Sequence, residues 1–70
     1  MLHRVAFTFP GRAEQVHYLR RSPQRGDKVH DLKHDVFVVS HAERDNGGWV
    51  ATCVTRHDFL LEPHPVGSLG

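Results

Sequence analysis

Val5, Phe7 and Phe9 alternate with Arg4, Ala6 and Thr8, the period of two expected when one face of a strand is buried and the other wet. This predicts a first strand, which Pro10-Gly11-Arg12 ends because proline fixes φ and lacks an N–H. Over Glu14 to Arg21, an extended chain would put Val16 and Tyr18 on one face and His17 and Leu19 on the other. A strand returning beside the first is the preferred expectation, with a short helix at residues 12–19 as the alternative. Ser22-Pro23-Gln24-Arg25-Gly26-Asp27 is dense in turn formers, so a loop precedes a short strand at Lys28 to Leu32, and Lys33-His34 turns again. Asp35 to Arg44 and Trp49 to Arg56 are the arms of a hairpin. His57-Asp58 marks a bend before Phe59-Leu60-Leu61 extends a final strand. Residues 1–62 form a single small β domain and residues 63–70 a flexible tail.

Asp45-Asn46-Gly47-Gly48 between runs rich in Val, Phe, Thr and Trp is the clearest of these signals, since Asn-Gly supplies the positive φ angles of a type I′ turn. Either a two-residue or a four-residue loop places Arg44 opposite Trp49, and then Ala42 opposite Ala51, Ser40 opposite Cys53 and Val39 opposite Val54. One face then carries Val36, Val38, Ser40, Ala42, Trp49, Ala51, Cys53 and Thr55. The other carries Phe37, Val39, His41, Val50, Thr52 and Val54. Neither face is fully polar, so both should be covered, inside a curled barrel or at a subunit interface.

The expected fold is all-β, a small antiparallel barrel or curled sheet of five to six strands. Gly26-Asp27-Lys28-Val29, Phe37-Val38-Val39 and Asn46-Gly47-Gly48-Trp49 give residues 2–61 a spacing that resembles SH3-like and other small β-barrel domains. The resemblance implies a binding module working through its loops and an exposed sheet face. SH3 domains that bind proline-rich peptides use a groove with a tyrosine pair and a tryptophan, whereas this chain has one Tyr and one Trp.

A chain of 70 residues buries only about 60% of its unfolded surface. The single cysteine, Cys53, excludes an internal disulfide framework and a zinc site of paired CxxC type, which makes dimerisation a serious possibility. No apolar run approaches the roughly 18 residues of a membrane span, and Met1-Leu2-His3-Arg4 leads into alternation, so a cytoplasmic, reduced protein is expected. The formal charge of +1 conceals a polarity: residues 1–30 carry six Arg/Lys against Glu14 and Asp27, and residues 31–70 carry three against six acids. Ordinary solvated surface charge would account for this, and so would a basic edge for nucleic acid or attraction between copies.

Seven histidines raise the question of metal, with His30/His34 and Cys53/His57 as the pairs. Both fall on expected extended chain, where four residues span about 13 Å and a Zn–N or Zn–S bond needs about 2.0 to 2.3 Å. No metal site and no cofactor are expected. The same separation disfavours Cys53, His57 and Asp58 as nucleophile, base and orienter, and Cys53 reads as a small buried apolar residue. Arg25-Gly26-Asp27 matches an adhesion tripeptide, but its turn-forming role suffices.

Two function classes remain, neither enzymatic. A protein-interaction module, homodimeric or accessory to a larger complex, would use Phe37, Val39, His41, Val50 and Val54 as its interface. A nucleic-acid-binding module would use Arg12, Tyr18, Arg20, Arg21, Arg25 and Lys28, the cations holding phosphates while the ring stacks on a base.

Overall fold

The structure, a computed structural model, describes residues 1–62; the expected tail at 63–70 lies outside the described residues. Five strands and one short helix follow in the order β1 (His3–Thr8), β2 (Gln15–Leu19), β3 (Lys28–His30), β4 (Val36–Asp45), β5 (Gly48–Val54) and α1 (Arg56–Leu61). The strands form one sheet in the order β2-β1-β5-β4-β3, curled into a half-barrel. The segment 12–19 holds a strand and no helix, and Val5 stands opposite His17 in the β1–β2 pairing. Among the described residues no helix is long and apolar enough to cross a membrane.

The sheet is mixed, which corrects the expectation of a purely antiparallel one: β1 runs parallel to β5, with Val5 beside Trp49 and Phe7 beside Ala51. Two local units, the β1–β2 hairpin and the β3–β4–β5 meander, are joined through this pair. Gly48 permits the approach. Its φ is 151°, and a Cβ there would strike the carbonyl oxygen of Arg4 on β1. The hairpin turn accordingly departs from type I′, since the positive φ falls at Gly48 and not at Asn46 or Gly47.

The β4–β5 pairing follows the expected register from Asp45/Gly48 to His41/Thr52 and then shifts, so that Val39 meets Cys53 and Val38 meets Val54. Ser40 is the extra residue of a β-bulge, which bends a strand and changes which residues share a face. Beyond it, Phe37 and Val39 join Ala51 and Cys53 on the inner face. The backbone braces the bulge from the other side: Gly26 N–H donates to the Val39 carbonyl and Val39 N–H to the Asp27 carbonyl, each at 2.8 Å. Gly26 reaches this position with φ 95°.

The core lies on the concave face. Val5, Phe7, Phe9, Phe37, Val39, Ala51 and Cys53 form one buried cluster, with Leu19, Val29, Ala42 and Trp49 packed against it. Phe9 links the two units, its ring centroid 6.3 Å from that of Phe7 and 5.1 Å from that of Phe37, distances at which aromatic pairs add to area burial.

The expected last strand at Phe59-Leu60-Leu61 is helical instead, which is a second correction. Thr55 caps α1, its Oγ1 accepting from Asp58 N–H at 3.1 Å, the side-chain bond that satisfies an orphan helix donor. The helix packs on the outer face of β4, where Val38 is buried beside Phe59 and Leu60. Glu62 fastens its end by accepting from Ser40 Oγ at 2.7 Å and from Arg25 at 3.1 Å.

Candidate functional site

Among the described residues the half-barrel leaves β2 and β3 as free edges on its two sides, and a strand edge presents unpaired N–H and C=O groups. An open cleft of about 520 Å³ lies between them, within the range of roughly 300–1,000 Å³ that ligand pockets occupy. Phe7 of β1, Leu19 of β2 and Val29 of β3 supply its apolar lining, continuous with the core. His17 and His30 stand on the two edges, the His17 ring edge-on to Phe7 at 5.7 Å. Arg20, Arg21 and Lys28 make the rim basic.

One carboxylate, Asp27, also lines the cleft, and it accepts from Gln24 N–H at 2.9 Å. Among the described residues Arg20, Arg21 and Lys28 make no ion pair. Three uncompensated cations against one engaged acid give the cleft a positive field over an apolar floor. Such an arrangement attracts anions and also offers them an apolar contact.

The basic segment expected to act as a unit is divided by the fold. Arg12 pairs with Asp31, and with Asp35 at 2.7 Å, while its guanidinium lies over the Phe37 ring at 5.3 Å. Hydrogen bonds to Asp35 and then Asp31 hold Arg12 above its ordinary pKa, so its charge serves the fold. Arg25 pairs with Glu62 at 3.1 Å and lies over the Phe59 ring at 4.8 Å. Tyr18 is 62% exposed but stands on the convex face opposite Arg4, away from the cleft. Of the expected set only Arg20, Arg21 and Lys28 line the cleft, and Lys28 also borders the face beneath α1.

The apolar group expected to form an interface is divided as well. Phe37 and Val39 are 5% and 0% exposed, so they belong to the core and present no docking face; the bulge at Ser40 turned them inward. His41, Val50 and Val54 remain on the convex face, Val50 in one row with Ala6 and Val16. His41 Nε2 lies 3.6 Å from a Glu43 carboxylate oxygen. Cys53 faces the core, and burial pushes its thiol up to about 11, so it is protonated at neutral pH; His57 is exposed on α1. Among the described residues no group of three or more His, Cys, Asp or Glu side chains is placed to hold a metal ion.

Asp31 escaped sequence reasoning. It is 5% exposed, takes the Arg12 pair, and accepts from Lys33 N–H at 3.0 Å and Asp35 N–H at 2.9 Å. Burial pushes its carboxyl up, but the Arg12 hydrogen bond and these backbone donors outweigh it and hold the carboxyl below its ordinary range. The loop it organises, in which His34 has φ 66°, ties the β1–β2 connection to the β3–β4 turn. The cleft's histidines and apolar floor were also missed; the alternation of His17 and Leu19 on β2 is the signal that locates them.

Comparison with protein-family models, with curated proteins and with solved structures returns no match.

Proposed function

We propose that the protein is a non-catalytic interaction module, serving a protein partner or a second copy of itself in a cytoplasmic setting, with the cleft between β2 and β3 as its binding site. The observation that carries this is the coincidence of an apolar floor with three uncompensated cations between two free strand edges. A closed monomeric barrel would have its edges paired, and natural proteins that leave an edge open manage it with charge or with a partner. Amide NMR with a mixed set of short peptides and single-stranded oligonucleotides tests the location. Shifts concentrated on His17, Leu19, Lys28 and Val29 support the reading, and shifts confined to Val16, Tyr18, Val50 and Val54 refute it. Sedimentation at micromolar concentration tests the self-association version, which a clean monomer would remove.

A second reading, nucleic-acid binding, is favoured by the same rim and reduces to Arg20, Arg21 and Lys28. It lacks the stacking ring, because Tyr18 faces the other way. Retardation of a single-stranded oligonucleotide that weakens steeply with salt, and is lost in Arg20→Glu/Arg21→Glu, would establish it.

A further inference from the structure

We infer that the cleft receives an extended acidic peptide segment of a protein partner, which adds to the free edge of β2 as a further strand and extends the half-barrel toward closure. The inference rests on the cleft being the binding site and specifies what fills it. Three features select this occupant.

The first is the backbone. Among the described residues β2 is a five-residue strand paired on one side only, whereas β3 has three residues and runs directly into the turn that Asp31 anchors. β2 is the longer template for main-chain hydrogen bonds, the interaction that gives strand addition its affinity. The second is the floor. A segment beside β2 would point alternate side chains at Leu19, Phe7 and Val29, which favours small or branched apolar residues at every second position.

The third is charge. Arg20 and Arg21 directly follow β2, and Lys28 borders the cleft from β3. A segment between them would lie within reach of cations from both sides, so the positions that point away from the floor are acidic. A nucleic-acid strand would satisfy the cations, but it has no N–H and C=O ladder to offer β2, and among the described residues the cleft has no flat ring beyond those of Phe7, His17 and His30, of which Phe7 is buried in the core. The partner therefore carries alternating acidic and apolar residues in an exposed, extended stretch.

The probe is the blocked hexapeptide Glu-Val-Glu-Val-Glu-Val, followed by amide NMR and by fluorescence anisotropy with a labelled copy. The expected result is shifts on β2 and on Lys28 to His30, slowed amide exchange along β2, and affinity reduced at least about 10-fold by Arg20→Glu/Arg21→Glu, or by raising salt from about 50 to about 500 mM. Both arginines are exposed, so the variant should keep its fold, and circular dichroism verifies this. A peptide N-methylated along its backbone, which needs no protein variant, should lose binding because it cannot form the ladder. Equal binding of the N-methylated peptide, or of the peptide with Lys in place of Glu, overturns the inference. Shifts in the cleft with oligothymidine but none with the acidic peptide would keep the cleft as a site and reject the strand-addition inference. Cleft shifts with neither probe would reject both.

Discussion

Gly48→Ala probes the joint on which the whole sheet depends. The added methyl would overlap the Arg4 carbonyl oxygen and sit 3.0 Å from Arg4 Cβ and 3.1 Å from the Arg4 carbonyl carbon, where ordinary contact begins near 3.4 Å. Most of the obstruction is backbone, so β1 must retreat by roughly 1 Å, which costs one or two ladder hydrogen bonds at about 1 kcal/mol each. The φ of 151° adds strain of about 1–2 kcal/mol for an L side chain. The sum, about 3 kcal/mol, compares with a total stability of about 3.5–10 kcal/mol for a domain of this size. It corresponds to a fall in Tm of about 12–24 °C. Gly47→Ala is the control, because a Cβ there meets nothing within 4 Å; it should change stability by less than about 1 kcal/mol. Urea unfolding followed by far-ultraviolet circular dichroism measures both. A Gly48→Ala protein within about 1 kcal/mol of the parent, or a Gly47→Ala protein equally damaged, would refute the account of the β1–β5 contact.

Val39→Ala should cost about 1.5–3 kcal/mol, and Val50→Ala less than about 1 kcal/mol, in the same urea experiment; equal costs would contradict the placement of the two residues on opposite faces. Cys53 should resist a disulfide exchange reagent in the native state at pH 8, and rapid labelling would show that it is not enclosed. Its thiol pKa is raised from 9.0 to about 11 by burial. The associated stability is therefore complete below pH 9 and is lost between pH 9 and about 11, a slope absent from Cys53→Ala. The Asp31 carboxyl is held below its ordinary 3.8, so its contribution is complete above about pH 4 and disappears as the pH falls further. Asp31→Asn should be less stable than the parent at pH 7, with the difference shrinking on acidification; a constant difference from pH 7 to pH 2 would show that the Arg12 pair does not stabilise the fold.

The local elements were largely legible because their causes are local. Alternation placed β1 and both hairpin arms, and Gly26 with Asp27 located the loop before β3. The parallel β1–β5 pair was not legible, because nothing in either strand's own pattern names a partner more than 40 positions away. Its one trace is the second glycine of Gly47-Gly48. The helix was hidden by its composition: Phe59-Leu60-Leu61 reads as strand, yet Thr55 followed three residues later by Asp58 is a capping signal that decides otherwise. The candidate site was half visible. Arg20, Arg21 and Lys28 stood out as cations, but which cations remain uncompensated depends on where Asp31, Asp35 and Glu62 arrive in space.

Ser40 works as a change of reading phase. In an uninterrupted strand the odd and even positions keep their sides from end to end, so Phe37 and Val39 would look outward whenever Ala42 looks inward. One uncounted residue reverses that parity, and β4 serves the core with odd positions before it and an even position after it. Deleting Ser40 would place Val39 directly before His41 and keep Phe37 and Val39 on the core side of a straighter strand, whereas pairing Ser40 in plain register would turn both outward, onto a flatter sheet whose two edges lack partners among the described residues. Here the pairing of a strand, as much as its composition, determines which residues the protein shows to the outside.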